Sequence, residues 1–459
     1  MFSEVEIFIS GSEHLVFTFV LSEDGIVDFL AEKKNSRRLI GSVFKGIVKR
    51  ECKSLEGYFV DIGLQREAFL QERNACGKKL RVGDSVLVQL KREETELKGA
   101  KVSCKINLPG KYIVYFPSVR KVKISSKIKG YPYSKELANF VKNNLKDNEG
   151  VIIRASALKA SKDDILKELQ ELRSLWNEIL KKSKNVSKGL LYEEVPGFAK
   201  VIRDYWGYIK EICVDNADIW KDISGIFGEE IREKLRFSKD FEKLLKNFSP
   251  YQLISKLFSK QVWLKNGGFI VIEETEAMVV IDVNSGEGCG DSFEENALRT
   301  NLEAVEEIAR QIKLRNLAGI IVVDLIEMKK EETKKYFLKE VKKLFERENL
   351  KVKVHGITST GLLELTRKRE GSSVTKILGE ECPCCKGRGK VKSSEFILYS
   401  IEKEIERLMG KNIEIKAHPR IAKNLREFFK RKNLNGLVSI KEVWEEEPDY
   451  YCLFSSDYS

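Results

Sequence analysis

Two apolar runs that flank a helical pattern constrain the fold of this chain more than any other feature. The run at 278–281 ends in Asp282, and a second run at 320–323 ends in Asp324. Between them, apolar residues recur at helical spacing over Phe293–Arg315, which predicts a helix. A right-handed strand–helix–strand crossover makes the two strands parallel, so we expect both carboxylates near the carboxyl ends of these strands.

The two aspartates predict a magnesium site, because an ionised carboxylate beside an apolar sheet needs a compensating cation or donor. Mg²⁺ takes one or two protein carboxylates and leaves its other positions to water and substrate phosphate, which suits Asp282 and Asp324. Asn284 projects to the same side of an extended chain as Asp282 and could orient that carboxylate or a phosphate oxygen. The alternative is structural, with Asp282 as a cap and Asp324 as an edge-strand charge; spacing alone leaves both open.

Short, closely spaced strands in the first quarter of the chain predict a small barrel. Phe59 and Phe69 interleave there with basic residues such as Lys45, a combination that is typical of single-stranded nucleic-acid binding. The alternative is that the aromatic side chains fill the barrel interior. The segments Gly41–Val48 and Phe59–Gly63 resemble those of an S1-type RNA-binding domain.

Composition narrows the choice of partner and compartment. The net charge of +12 favours a polyanionic partner, although a chain rich in Lys and Glu can equally have a solvated, ion-paired surface. Nine cysteines without an even framework indicate reduced thiols in a cytosol. The N-terminus lacks the pattern of a signal peptide, and no apolar run approaches the roughly 20 residues that span a bilayer. We therefore expect a cytoplasmic protein with no membrane segment.

A basic segment follows the second apolar run. Residues 361–369 predict a short helix whose basic end, Arg367 and Arg369, contacts phosphates. A solvated or dipole-compensating role is the alternative. Other patterns predict helices at about 162–182, 330–346 and 395–408 and strands at 352–357 and 412–417.

A cysteine knuckle lies further towards the C-terminus. Cys382 and Cys385 have the C-x-x-C spacing of a zinc knuckle, but a structural zinc needs four ligands and the sequence offers no second knuckle. A two-fold symmetric partner could complete the site, which would make the zinc a staple between subunits. The alternatives are no metal, or a redox pair without its usual βαβ context. Cys384 could replace either neighbour.

Together these motifs resemble the catalytic core of the ribonuclease E/G family of bacterial endoribonucleases. The S1-type segment lies upstream of the acidic pair, in the family's order, and the resemblance spans essentially the whole chain. The sequence given shows no long Arg/Pro-rich scaffold tail like that of ribonuclease E, so we expect the resemblance to be nearer to the ribonuclease G branch. The motifs that carry the resemblance are Ile281–Ser285, Asn301–Ala304, Glu307–Gln311, Gly319–Asp324, Gly361–Glu364 and Cys382–Gly389.

The resemblance implies a multidomain fold of α+β and α/β type. The implied parts are an RNase H-like domain split between 1–38 and 190–256, an S1-type OB barrel at 39–107, a 5′-sensor region at 108–189, a DNase I-like catalytic α/β domain at 257–379, a zinc link at 380–391 and a small α/β C-terminal domain at 392–459.

The resemblance also assigns roles to individual residues. It places the metal aspartates on Asp282 and Asp324, the catalytic asparagine on Asn284, the shared zinc cysteines on Cys382 and Cys385, and the S1 aromatics on Phe59 and Phe69. It places the arginine that senses a 5′-monophosphate on Arg154. The threonine that should follow Arg154 is Ala155 here, with Ser156 as a substitute donor.

Two functions follow as hypotheses. The first is an Mg²⁺-dependent endoribonuclease for single-stranded RNA, including rRNA precursors and mRNA, with a preference for 5′-monophosphorylated ends. The resemblance implies roles in rRNA maturation and mRNA decay, a homodimer or dimer of dimers, and no DNA substrate. The second is an RNA-binding scaffold with a structural acidic pair. A metal-free mechanism with two histidines is disfavoured, because the three histidines share no motif.

Overall fold

The computed structural model divides the chain into two compact units, Met1–Leu378 and Gly379–Ser459, and each combines helices with sheets. The expected mixture of α and β structure is therefore confirmed. The structure describes residues 4–23, 25–34, 39–75, 77, 79–94, 99–239, 250–286, 292–348, 350–369, 371–385, 387–407, 412–431, 438–444 and 449–456.

The N-terminal sheet joins two parts of the chain that are far apart in sequence. Its strands are β1 (Val5–Gly11), β2 (Leu15–Ser22), β3 (Gly25–Lys33), β14 (Ile209–Val214) and β15 (Leu235–Phe237), in the order β15-β14-β1-β2-β3. Helices α3 (Gly197–Tyr205) and α4 (Ala217–Phe227) pack against it through their buried apolar faces. Strands of residues 1–38 and of residues 190–256 therefore share one sheet, while the domain bounds and the RNase H-like identity stay predictions.

Five strands form the expected barrel. They are β4 (Val43–Cys52), β5 (Gly57–Asp61), β6 (Ala68–Gln71), β7 (Ser85–Arg92) and β8 (Lys101–Ser103). The order β4-β5-β6-β8-β7 closes because β7 also pairs with β4, and β13 (Gly189–Tyr192) adds to the free side of β4. The closed five-stranded barrel is consistent with an S1/OB-like fold.

A small sheet and two helices follow the barrel in the chain. The strands are β9 (Leu108–Pro109), β10 (Ile113–Phe116), β11 (Lys121–Ile124) and β12 (Gly150–Ile153), and the helices are α1 (Pro132–Asn143) and α2 (Lys162–Asn185). Ser161 begins α2 with a capping box to Asp164, which satisfies backbone donors at the helix start. The sheet packs on the apolar sides of both helices and forms one continuous core with them.

The sheet that carries the acidic pair has six strands in the order β16-β17-β18-β19-β21-β20. Its strands are β16 (Gln261–Trp263), β17 (Phe269–Glu274), β18 (Met278–Asn284), β19 (Gly319–Asp324), β20 (Val352–Ile357) and β21 (Leu362–Arg367). The nearby helices are α5 (Pro250–Phe258), α6 (Phe293–Leu314), α7 (Glu331–Glu348) and α8 (Val374–Leu378). Helices α6 and α7 share one apolar core with the inner face of the sheet. The predicted strand–helix–strand is confirmed, with β18 and β19 parallel.

The prediction of a short helix at 361–369 is wrong, because residues 362–367 form strand β21. Leu363 and Leu365 are buried on the core side, while Glu364 lies on the opposite, exposed side. This alternation is the period of a strand, and pairing with both β19 and β20 outweighs the helix propensity of Leu and Glu.

The second unit is a small α/β domain in which α9 (Ser394–Arg407) and α10 (Pro419–Arg431) pack on a three-stranded sheet. The sheet has the order β23-β22-β24, with β22 (Asn412–Ala417), β23 (Val438–Glu442) and β24 (Tyr451–Ser456). In the described parts of both units, no helix is long and apolar enough to cross a bilayer.

Candidate active site and nucleic-acid interface

Asp282 and Asp324 are direct register partners on the parallel strands β18 and β19. Adjacent strands lie about 5 Å apart, so the two Cα atoms are close and both side chains leave the sheet on the same side. Both residues are exposed. Two carboxylates side by side and open to solvent fit the oxygen ligands of Mg²⁺, with room for water and a phosphate.

The alternation of apolar residues along β18 places the acidic pair on the outer face of the sheet. Val279, Ile281 and Val283 are buried towards α6 and α7, so Asp282 must point away from that core. The described outer face also exposes apolar side chains: Trp263 is 68% exposed and Ile320 48%. This face therefore combines two carboxylates with exposed apolar side chains.

Asn284 holds the carboxylate of Asp282. Its Nδ2 donates a hydrogen bond of 2.9 Å to Oδ2 of Asp282, the arrangement expected from the two-residue spacing along a strand. The bond leaves Oδ1 of Asp282 available to a cation. An amide that orients a metal-ligating carboxylate typically supports metal affinity or activity.

Two glycines let neighbouring backbone approach Asn284. A Cβ atom on Gly268 would lie 2.6 Å from the carbonyl oxygen of Asn284, and one on Gly286 would lie 2.6 Å from the carbonyl carbon of Gly267. Any larger residue at either position would push β17 away from the end of β18. The Gly268 and Gly286 positions therefore fix the backbone around the asparagine.

Asn301 positions the segment after Asp324, a role that sequence reasoning missed. Its side chain is fully buried on α6; Nδ2 donates to the carbonyl of Ile326 at 2.9 Å, and Oδ1 accepts from the Ile326 N–H at 3.0 Å. The paired bonds fix the backbone two residues beyond the second aspartate. The sequence signals at this position were a polar residue on the apolar stripe of the predicted helix and the place of Asn301 in the Asn301–Ala304 motif of the resemblance.

The outer surface of the barrel presents the two predicted aromatic residues as a pair. The ring centroids of Phe59 and Phe69 lie 5.5 Å apart, and the Arg50 guanidinium lies 3.9 Å above the Phe59 ring. Both phenylalanines are half-buried, whereas Tyr58 is buried in the barrel core. The alternative of interior aromatics therefore holds for Tyr58 but not for the Phe59–Phe69 pair.

Lys45 contacts other parts of the protein and not this aromatic pair. Its ammonium donates to the carbonyl of Ser183 at 2.7 Å, near the end of α2, and its strand position pairs with Gly189 of β13. A positive charge at this place stabilises the C-terminus of α2, because it interacts favourably with the helix dipole. Its assignment to RNA binding stays a prediction, while its contact in this structure is with the protein.

Arg367 and Arg369 occupy the end of β21 that is remote from the acidic pair. Leu362, at the other end of the strand, pairs with Asp324, so Arg367 lies about 17 Å further along. The Arg367 guanidinium donates to Asn316 Oδ1 and to the carbonyl of Leu317, both just past α6. These bonds give Arg367 a structural role, because they join the end of β21 to the segment after α6. Arg369 instead lines an open basic pocket.

Arg154 lies where β12 ends, and its guanidinium pairs with the carboxylate of Asp204 and donates to the Gly110 carbonyl at 3.3 Å. Ser156 is buried, and its hydroxyl donates to the carbonyl of Lys111. The Ser156 hydroxyl is thus used in a hydrogen bond within the protein and is not presented beside Arg154 as a donor to a ligand. A 5′-phosphate at this site would have to displace Asp204 or share the arginine with it.

Cys382 and Cys385 lie in a turn at the start of the second unit, with Cys382 exposed and Cys385 half-buried. Hydrogen bonds from the backbone amides of Cys385 and Cys384 lower the pKa of the Cys382 thiol, and the negative charge of Cys382 raises the pKa of Cys384. Metal binding needs the thiolate, so this turn suits Cys382 as a ligand. Among the described residues of one chain, no group of three or more His, Cys, Asp or Glu could hold a metal.

Comparison with known proteins decides the family. The sequence model of the ribonuclease E/G family matches residues 107–370, which contain Asp282, Asn284, Asp324 and Arg154. The chain belongs to the ribonuclease E/G family. The barrel strands and the cysteine turn lie outside the matched residues.

Comparisons with individual relatives, which cover more than four fifths of the chain, agree with the ribonuclease E/G assignment. The chain is 31% identical to ribonuclease G of Haemophilus influenzae over 402 residues, with 82% of each chain covered. It is 30% identical to ribonuclease G of Escherichia coli K12, with 84% of each covered. Ribonuclease E of Buchnera aphidicola is 31% identical and covers 83% of this chain, but only 42% of that protein is matched.

Proposed function

We propose that this member of the ribonuclease E/G family is an Mg²⁺-dependent endoribonuclease that cuts single-stranded RNA at Asp282 and Asp324. The observation that carries the proposal is their register pairing, with Asn284 bonded to Asp282, on an open sheet face. The class of enzyme follows from the family, whose matched relatives are named ribonucleases. The metal and the roles of individual residues are our proposals.

Asp282 and Asp324 would hold one Mg²⁺ between them, because both offer hard oxygen atoms and neither is enclosed by other described ligands. When bound, the ion supplies Lewis-acid chemistry, by which it polarises the scissile phosphate and activates water. Asn284 keeps the Asp282 carboxylate aimed at the ion by its 2.9 Å bond, and the Asn301 clamp keeps the segment after Asp324 in place. These residues pre-position the site, which is how a protein stabilises a phosphoryl-transfer transition state.

Two aromatic surfaces support single-stranded RNA as the substrate. Phe59 and Phe69 form a pair on the barrel, and Trp263 contacts Phe269, which is the register partner of Asn284. Unpaired bases stack on such rings, whereas the bases of a duplex are already stacked and paired. rRNA precursors and mRNA offer such segments, and we propose roles in rRNA maturation and mRNA decay.

Two further parts of the proposal concern RNA ends and assembly. Arg154 would recognise a 5′-monophosphate in exchange for its pairing with Asp204, since both partners are anions. Cys382 and Cys385 would bind Zn²⁺ together with the same two cysteines of a second subunit, because tetrahedral zinc needs four ligands. The protein would then be a homodimer, which could pair again into a dimer of dimers.

The competing function is an RNA-binding scaffold whose acids are structural. Cleavage of one single-stranded RNA, measured with Mg²⁺ and with EDTA, separates the two. Internal cuts that require Mg²⁺ support the nuclease. RNA binding without any Mg²⁺-dependent cleavage would sink the enzyme proposal and leave the scaffold.

A further inference from the structure

A strongly basic pocket lies where the barrel, the segment after it and the end of β21 meet. Its volume is about 670 Å³, and none of the described residues that line it carries a carboxylate. Five of its cations come from the barrel and its exit: Arg73, Lys91, Arg92, Lys101 and Lys105. Lys368 and Arg369 come from the segment after β21. Seven positive charges around one opening create a positive potential that attracts a polyanion.

Two of the cations, Lys101 and Lys105, donate hydrogen bonds to neutral partners and therefore keep their net positive charge. Lys105 donates to the carbonyl of Arg73 at 2.8 Å, and Lys101 donates to Oε1 of Gln71 at 3.3 Å. No ion pair between described residues involves a cation of this pocket, although the charge of Glu194 acts more weakly on Lys91. Burial and then the charge of Lys368 lower the pKa of Lys91 to about 8. An anion in the pocket would offset both effects, because it favours the charged form of Lys91 and screens the repulsion by Lys368.

The pocket continues the aromatic surface of the barrel. Phe69 of β6 is the register partner of Lys101 of β8, and Lys101 in turn pairs with Arg92 of β7. Moving across neighbouring strands therefore leads from the Phe59–Phe69 pair directly to the cations. Aromatic rings followed by a basic groove are the combination by which proteins hold single strands.

The pocket is also remote from the acidic pair along the sheet. Arg369 lies two residues beyond the end of β21, whereas Asp324 pairs with Leu362 at the start of that strand. The strand alone accounts for about 17 Å of this separation. A ligand that reaches both places must be a long chain, and a mononucleotide cannot do so.

We propose that this pocket binds the sugar–phosphate backbone of the RNA substrate several nucleotides away from the cut. The proposal rests on the proposed function for its substrate and deepens it by naming a remote anchoring site. The chemistry that the pocket recognises is a row of phosphates; a free polyphosphate shares that chemistry and is separated by the test below. The enzyme should therefore favour long single strands over short ones.

The test compares the binding of short and long single-stranded RNA, both fluorescently labelled, in EDTA so that no cleavage occurs. The variant Lys105→Gln with Lys368→Gln removes two exposed pocket cations. We expect about a tenfold loss of affinity for the long RNA, no change for the short one, and a salt slope lowered by about 1.4. The matched control is Lys339→Gln with Lys342→Gln on the exposed side of α7, which should keep the wild-type length preference.

Three outcomes would overturn the proposal. An unchanged ratio of long to short affinity in the pocket variant, with wild-type thermal unfolding, means that the pocket does not anchor RNA. An equal loss in the control variant means that net charge alone matters. Inorganic polyphosphate that binds the wild type but not the variant, while long RNA binds both equally, assigns the pocket to a free polyanion. If the wild type showed no Mg²⁺-dependent cleavage, the proposed nuclease function would be refuted. The length dependence of RNA binding could still be measured in EDTA, so the two proposals fail separately.

Discussion

Asp282 and Asp324 face the same side of the sheet as neighbours across β18 and β19, although 41 residues separate them in the chain. Helix α6 brings them together, because it returns the chain to the start of the next parallel strand. The pairing concentrates two negative charges at one edge of an apolar sheet. The proposed cation would offset that repulsion and would favour the approach of a substrate phosphate.

Replacing Asn301 by Leu should weaken both the fold and the site. The substitution leaves the half-buried N–H and carbonyl of Ile326 without their partner, at a cost of about 1–3 kcal/mol in the free energy of unfolding. Because Ile326 follows Asp324 closely, more Mg²⁺ should be needed for half-maximal cleavage. Urea unfolding and Mg²⁺ titration check both effects.

The matched control for Asn301 is Asn296→Leu on the same helix, whose side chain accepts a hydrogen bond from Arg299 near the surface. That variant should unfold within about 0.5 kcal/mol of the wild type. If both variants lost stability equally, a general effect of replacing asparagine by leucine on α6, and not the loss of the Ile326 clamp, would explain the result.

Phe59→Ala and Phe69→Ala should each weaken the binding of single-stranded RNA, because each removes one ring of the half-buried pair on the outer surface of the barrel. The expected loss is about 1–3 kcal/mol per stacked base, measured by fluorescence anisotropy in EDTA. Tyr58→Phe keeps a ring of the same size inside the barrel and should bind RNA normally. If Tyr58→Phe weakened RNA binding as much as the two alanine variants, the loss would reflect the stability of the barrel and not base stacking.

Arg154→Gln should remove any preference for a 5′-monophosphate over a 5′-hydroxyl, because the cation of the sensor site is lost. Asp204→Asn should act in the opposite direction, since it frees the Arg154 guanidinium from a competing carboxylate. Cleavage rates of the two RNA forms give the preference of each variant. Equal rates for both forms with the wild-type protein would retire the sensor while keeping the nuclease.

The double variant Cys382→Ser with Cys385→Ser should yield zinc-free protein of lower mass in solution, because the shared site loses every ligand. Cys384→Ser should keep both zinc and mass, since Cys384 is an exposed neighbour with a raised thiol pKa. Metal analysis and light scattering provide the measurements. An unchanged oligomer in the double variant would refute the zinc staple.

The predictable elements were those whose signal is local. The buried alternation of β18 and the helical spacing of α6 are periodic within the segment itself, so the strand–helix–strand could be derived from the sequence. The spacing of Asp282 and Asn284 likewise placed both on one face, and their hydrogen bond follows from that.

The features that escaped prediction depend on distant partners. Pairing of β1 with β14 joins residues about 200 positions apart, and no local pattern records it; only the family resemblance implied that these two parts of the chain meet. Arg367 looked like a phosphate ligand, but its partners are backbone and side-chain atoms beyond α6. The same holds for Lys45, whose carbonyl partner at Ser183 lies far along the chain.

The most direct test of the central claim is the Asp324→Asn variant, assayed for cleavage with Mg²⁺ and for RNA binding in EDTA. The change keeps the size of the side chain and removes the charge that would hold the ion. The account predicts a loss of cleavage of at least about a hundredfold with RNA affinity nearly intact. Wild-type cleavage, or an equal loss of cleavage and binding, would contradict the assignment of Asp324 to the catalytic metal.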